Sequence, residues 1–350
     1  MAQGGMKTLL IITDAWYPQT NGVVTTLNRI VELLEPQGIR TEVIHPGLFK
    51  TLPTPGYAEI RMAWNPWKFG RLYREINPDF VHIATEGTIG CWGRRWLLKR
   101  KIPFTTSLHT RFPEYVNERL PIMPVSWGYR FLRWFHRPAR TTLVTTQSCM
   151  EDLADKGFSN MRVWGRGVDV EAFAPLQDRE HPYHDPLLLY VGRVAVEKNL
   201  RAFLDLQLFG KKVVVGDGPS MKALQREYPD VVFTGFRYGK ELAEEYGRAD
   251  VFVFPSLTDT FGLVMLEAMA CGTPVAAYPV CGPIDVVEEG VNGALDDDLE
   301  LAVKRALKVP RGQCREYAEN HSWQRCAEIF LETLVPVDAS RSMATAVLPD

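Results

Sequence analysis

Short apolar runs alternate with stretches of helical periodicity along the whole chain, the pattern of β–α–β units that build parallel sheets. In the first half the runs predict strands at Thr8–Thr13, Thr41–His45, Asp79–Ile83, Phe104–Leu108 and Thr142–Thr146. In the second half they predict strands at Leu187–Val191, Lys212–Val215, Val231–Thr234, Asp250–Phe254 and Pro274–Tyr278. Val, Ile and Leu run nearly continuously through them, as expected of strands covered on both faces. The polar, proline-broken stretch Asp178–Pro186 reads as a linker. The expected class is therefore α/β, with two Rossmann-like doubly wound domains facing a cleft. Their expected bounds are 1–177 and 187–322, with the linker at 178–186. An amphipathic helix at 323–335 is expected to cross back to the amino-terminal domain, and the patternless 336–350 reads as a mobile tail.

Composition narrows the class without changing the fold. The chain has 350 residues, 46% hydrophobic and 23% charged, the balance of a globular protein with two cores of ordinary size. Its start lacks the charged and apolar regions of a signal peptide, and the run Leu9–Ile12 is too short to cross a bilayer. Six scattered cysteines with no C-x-x-C pair point to reduced thiols and a cytoplasmic protein. The net charge of −2 conceals an asymmetry: Arg61 to Arg140 holds 15 Lys/Arg against 5 Asp/Glu. The same window holds six of the nine tryptophans, so a basic and aromatic patch needs an acidic or interfacial partner. Nothing in the pattern suggests a nucleic-acid partner.

Chemistry concentrates in the second half. Phe254 to Val275 reads as a buried strand, a polar loop, a helix from about Leu263 to Ala270, and a new strand opened by Pro274. The loop delivers unpaired backbone N–H groups to a helix N-terminus, where a phosphate is favoured, and Gly262 allows close approach to the main chain. Asp259 and Glu267 lie eight positions apart, about 12 Å of axial rise if helical, so they suit two parts of one elongated ligand. Read alone, Asp259 also suits a helix cap and Glu267 an exposed helix position. Gly192-Arg193-Val194-Ala195-Val196-Glu197-Lys198-Asn199 likewise follows a strand and opens a helix, carrying a guanidinium fork and an ammonium that, read alone, also suit a solvated helix start. Gly216-Asp217-Gly218 has two glycines of a dinucleotide fingerprint, but Met221 stands at the third position, which makes that reading weak.

The stretch around Asp259-Thr260-Phe261-Gly262-Leu263 and Glu267 resembles the signature of glycosyltransferase family 4, and Gly192 to Asn199 resembles its G-R-x-x-x-E-K-N segment. The resemblance runs from about Lys7 to Leu334 and implies a GT-B fold and a nucleotide-sugar-dependent hexosyltransferase. It implies that Asp259, where Glu is usual, meets the transferred sugar and that Glu267 meets the ribose. Arg193 and Lys198 would neutralise the donor diphosphate, which removes the need for a divalent metal or other cofactor. Gly235, Phe236 and Arg237, in the turn after a strand, are candidates for the base, with packing as the equal alternative. Gly22 and Val23, after the Asp14 loop, resemble the family's glycine loop over the donor phosphate. His109, at a strand's carboxyl end, is the candidate to touch sugar and acceptor and to move a proton. Asp14, Glu86, Arg166 and Asp169 are weaker acceptor or sugar candidates.

Arg130, Arg133, Arg137 and Arg140 recur at helical spacing beside Trp127, Phe131, Trp134 and Phe135, and Trp92, Arg95, Trp96 and Lys99 repeat the theme. The segment resembles the acceptor-domain helices of the family's glycolipid synthases, including sulfolipid-synthase-like and diacylglycerol glycosyltransferases. The expectation is a retaining enzyme using a UDP- or GDP-sugar and a lipid acceptor, peripheral on the inner face of the cytoplasmic membrane. The alternatives are a soluble sugar or polysaccharide acceptor, or a nucleotide-sugar epimerase on the same fold.

Overall fold

The computed structural model describes residues 6–19, 21–54, 57–109, 124–179, 185–258 and 261–337. They form two compact units. The first comprises the described residues of 6–109, 124–165 and 324–337, and the second those of 166–323.

The first unit is built on a six-stranded parallel sheet. Its strands are β1 (Lys7–Ile12), β2 (Ile39–Ile44), β5 (Phe80–Ile83), β6 (Thr105–Leu108), β7 (Thr142–Val144) and β8 (Met161–Val163). They lie in the order β2-β1-β5-β6-β7-β8, and a separate antiparallel hairpin joins β3 (Thr51–Thr54) to β4 (Tyr57–Ala63). Leu10, Ile12, Val81 and Ile83 bury one side of this sheet with Phe69 and Phe135, as their unbroken apolar pattern requires.

The second unit repeats the plan with β9 (Leu187–Val191), β10 (Lys211–Val215), β11 (Val232–Gly235), β12 (Val251–Phe254), β13 (Val275–Ala277) and β14 (Gly293–Leu295). The order is β11-β10-β9-β12-β13-β14, so the winding reverses beside β9, where such sheets bind ligands at their strands' carboxyl ends. One apolar cluster, including Phe252, Phe254 and Met265, covers one face, and a second, including Tyr190, Phe203 and Val253, covers the other.

The units divide at Gly165 and Arg166, ahead of the expected boundary at 177. Val170 and Phe173 pack on the second unit's core, and Arg315 Nη1 donates to both of their carbonyls, at 3.0 and 2.8 Å. Within the expected linker, Arg179 is tied to the same unit by the carboxylate of Asp250 and the carbonyl of Arg248, at 2.5 and 2.9 Å. The last helix, Trp323–Thr333, serves the first unit from Gln324 onward, with Phe330 wholly buried against His82 and Trp164. Beyond Pro336 and Val337, the expected tail lies outside the described residues. None of the six cysteines is in a disulfide.

Candidate functional site

In the second unit, three loops leave the carboxyl ends of β9, β10 and β12 side by side. The β9 loop carries Arg193, and its single 3₁₀ turn, Val196–Lys198, carries Lys198. Asn199 stands at φ +52 and its side-chain amide donates to Pro255 O at 3.1 Å, which ties this loop to the one after β12. The β10 loop packs so closely that a Cβ at Gly216 would lie 1.9 Å from Gly192 O, and one at Gly218 2.4 Å from Val194 O. Those two glycines are thus explained by loop-on-loop contact, which dissolves the dinucleotide reading.

The β12 loop leads to the helix Leu263–Ala270. Gly262 sits at φ +80 with the Phe254 ring 2.8 Å from where a Cβ would be, so no other residue fits. Among the described residues no side chain caps this helix, so its first N–H groups lack a side-chain acceptor there. Two hydroxyls in the loop, Ser256 Oγ and Thr258 Oγ1, are buried without a hydrogen-bond partner among the described residues. A helix N-terminus with Arg193 and Lys198 on the neighbouring loop gathers groups that suit an anion. Phe261, a donor-site candidate by its place in the motif, joins the apolar core. Asp259 lies outside the described residues.

Glu267, one turn into the helix, is partly buried, and the Tyr246 hydroxyl donates to its Oε2 at 2.9 Å. Burial pushes the Glu267 carboxyl up to about 7, against the opposing pull of that hydrogen bond. A carboxylate held in one rotamer by a tyrosine is suited to accept a pair of ribose hydroxyls through its remaining lone pairs. After β11, Gly235 turns at φ +74 and presents Phe236 and Tyr238, stacked at 5.9 Å and both more than half exposed. Exposure favours a stacking platform over packing for Phe236, while Arg237 is drawn toward Glu245 at 3.9 Å.

In the first unit, β6 projects hydroxyls to both sides. On one side Ser107 Oγ lies 2.8 Å from His109 Nε2 and 3.0 Å from His82 Nε2, and His82 Nδ1 lies 2.9 Å from Thr105 Oγ1. Trp164 meets the His109 ring edge-on at 5.7 Å. On the other side His136 bridges Thr106 Oγ1, at 2.9 Å, and the Glu86 carboxylate, at 3.0 Å. Glu86 is therefore a fixed group and not surface decoration. His82 and His136 were not signalled by the sequence, because each sits singly in an apolar run with no neighbouring motif.

The structure places four further candidates as follows. Asp14 does not face an acceptor: its carboxylate accepts from Ile89 N, Gly90 N, Thr85 Oγ1 and Thr88 Oγ1 at 2.9 to 3.2 Å. It caps the helix Thr88–Lys99, and Gly87 is required because a Cβ there would lie 2.3 Å from that carboxyl carbon. Asp169 Oδ1 accepts from Glu171 N and Ala172 N, the work of a turn cap. Arg166 is buried in the second unit. Gly22 opens a helix, but Asn21 Oδ1 already accepts from Val23 N and Val24 N at 3.0 and 3.1 Å. A phosphate at Val23 would have to displace that cap.

The helix Val125–His136 leaves Trp127, Phe131 and Trp134 exposed, with Arg130, Arg133 and Arg137 along the adjoining arc at about 100° per residue. Arg140 is also exposed, beyond the helix end. Phe135, expected with the aromatics, points into the core. Trp134 is held over the Arg94 guanidinium at 3.8 Å, and both line a groove of about 390 Å³ with Trp92, Arg95, Leu98 and Lys99. Among the described residues no helix is long and apolar enough to cross a membrane.

Comparison with known proteins gives a consistent result. Residues 20–172 match the family model "Glycosyltransferase Family 4", and residues 185–308 match "Glycosyl transferases group 1". The chain is 32% identical to a GDP-mannose-dependent alpha-mannosyltransferase of Mycobacterium tuberculosis, over 81% of this chain and 82% of that one. It is 27% identical to an alpha-monoglucosyldiacylglycerol synthase of Streptococcus pneumoniae, over 95% and 88% respectively. Its fold matches sucrose-phosphate synthase from Thermosynechococcus elongatus with a TM-score of 0.77 at 20% identity, covering 97% of this chain and 100% of that one.

Proposed function

Because the chain belongs to glycosyltransferase family 4 and is a nucleotide-sugar-dependent glycosyltransferase of GT-B fold, we propose that it glycosylates a membrane lipid such as diacylglycerol. The hexose comes from a UDP- or GDP-sugar, transfer retains the anomeric configuration, and no divalent metal takes part. The observation that carries the donor half is the pairing of Arg193 and Lys198 with the uncapped helix start at Gly262. Two fixed positive groups and a helix dipole stabilise the departing diphosphate as its charge develops, the role a metal ion would otherwise fill. Glu267 accepts the ribose hydroxyls and the exposed Phe236 carries the base. His109 and Asp259 are the further candidates for the transferred sugar. In the retaining reaction the donor's phosphate oxygen takes the proton from the acceptor hydroxyl as the new bond forms on the same face.

The lipid half is supported by the exposed Trp127, Phe131 and Trp134 beside three arginines, and by the basic, tryptophan-walled groove. Indole rings seat at the headgroup level, and arginines meet anionic headgroups. The Streptococcus pneumoniae relative, named for a diacylglycerol product, supports the same acceptor class. Purified enzyme with UDP-glucose or GDP-mannose and diacylglycerol in anionic vesicles should yield a glycolipid in the presence of EDTA. Loss of activity in EDTA with recovery in Mg²⁺ refutes the metal-free step. Turnover of a soluble glycan with no vesicle binding at physiological salt would replace the lipid by the soluble acceptor.

A further inference from the structure

The turn after β11 carries a charge pair beside its aromatic platform. Phe236 and Tyr238 stack with both rings exposed, and Arg237 stands between them in sequence. Arg237 Nε lies 3.9 Å from Oε1 of Glu245, on the helix Gly239–Arg248, which is beyond hydrogen-bond reach. Neither side chain makes a hydrogen bond among the described residues. Arg248, on the same helix, donates to Glu244 at 3.0 Å instead. Glu245 keeps only 18% of its side chain exposed, and burial pushes its carboxyl upward against the pull of Arg248 and Arg237. The next residue, Tyr246, donates to Glu267, the candidate ribose carboxylate, at 2.9 Å. Platform, charge pair and ribose carboxylate thus form one connected series in the second unit.

We propose that Arg237 and Glu245 read the hydrogen-bonding edge of the donor's base and select guanine, so that the donor is a GDP-sugar. This rests on the reading that Phe236 carries the base. Guanine presents N1–H and N2–H side by side, two donors that match the two oxygens of one carboxylate, with O6 beside them as an acceptor for a guanidinium. Uracil presents a single N–H between two carbonyl oxygens, so one carboxylate oxygen would face a lone pair. Adenine offers an amino group where Arg237 would donate and a bare ring nitrogen where Glu245 needs a donor. The gap of 3.9 Å lets both side chains turn to the base without first breaking a hydrogen bond. Because the carboxylate is largely covered, a base that leaves it unpaired is rejected by the cost of that desolvation.

The test is isothermal titration of the full chain with GDP, UDP and ADP, which lack the sugar, so no turnover intervenes. The wild type should bind GDP about tenfold or more tighter than UDP or ADP. Glu245→Gln keeps the shape but puts a donating NH₂ where an accepting oxygen stood. It should weaken GDP about tenfold or more and leave UDP within about twofold. Arg237→Ala should weaken GDP several-fold more than UDP. A wild type that binds UDP as tightly as GDP overturns the proposal, and this arm needs no variant to fold. An unchanged ratio of GDP to UDP affinity in a folded Glu245→Gln protein also overturns it; a change of fold alone would weaken both nucleotides together. Failure of the platform reading looks different, since Phe236→Ala would then leave all three affinities at their wild-type values.

Discussion

Replacing Glu267 with glutamine separates what the carboxyl costs the fold from what it gives the ligand. Its ordinary value of 4.5 is pushed to about 7 in the folded chain. Between those values the folded state binds the proton that the unfolded chain has released, so stability falls as pH rises from 4.5 and levels off above 7. At about 1.4 kcal/mol for each tenfold change in proton affinity, the full displacement is about 3 kcal/mol. Glutamine stays neutral and still accepts the Tyr246 hydroxyl bond. Glu267→Gln should therefore melt close to wild type at pH 5 and roughly 6–12 °C higher at pH 8, for a domain of this size. On the proposed ribose contact the same change removes a charged acceptor worth about 1.5–3 kcal/mol, so nucleotide affinity should fall about 10- to 100-fold at pH 8. Wild-type affinity should weaken below pH 7, where binding must first expel the proton, while the variant's should not depend on pH there. Melting curves with and without UDP or GDP at both pH values read all of this. An equal stability difference at pH 5 and pH 8, or unimpaired nucleotide binding by the variant, refutes the reasoning.

Arg193→Ala or Lys198→Ala should lower kcat/KM about 100-fold or more, equivalent to about 2.7 kcal/mol of lost transition-state stabilisation; steady-state kinetics check it. Asp14→Ala should leave the first turn of the helix Thr88–Lys99 uncapped and destabilise the chain by about 1–3 kcal/mol in urea melts, because four hydrogen bonds lose their acceptor. Gly216→Ala should prevent folding or displace the donor loops, since its Cβ would overlap Gly192 O, and soluble yield and circular dichroism report it. Trp127→Ala with Trp134→Ala should reduce cosedimentation with anionic vesicles several-fold and leave nucleotide-induced melting shifts unchanged, because those side chains lie in the other unit.

Ten of the strands were legible in the sequence to within a residue or two because each is a buried apolar run bounded by polar residues. The missed strands lack that signal. β8 and β14 are three-residue edges, and Gly293 and Arg162 interrupt any run, while β3 holds Pro53 and pairs only with β4. The domain boundary was misplaced because the polar stretch 178–186 reads locally as a linker. Arg179 in fact reaches Asp250, about seventy residues away in sequence, and Arg315 collects the carbonyls of Val170 and Phe173. No local window carries those partnerships.

The same division separates the site residues. Arg193, Lys198, Gly262 and Glu267 must project from loops or first turns at the strand ends, so each lies within a short motif whose spacing announces it. Groups that hold such residues in place come from other strands, through the buried side of the sheet. His82 reaches His109 only because β5 and β6 pair in the register His82 to Thr105, and His136 reaches Glu86 from a helix fifty residues away. Asp14 shows the converse: a carboxylate in a promising loop is consumed by a helix start that only the fold brings to it. A charged residue beside a strand end is thus a ligand candidate only until its hydrogen-bond partners are counted. That count separates Glu267, with one bond among the described residues and lone pairs to spare, from Asp14, with none.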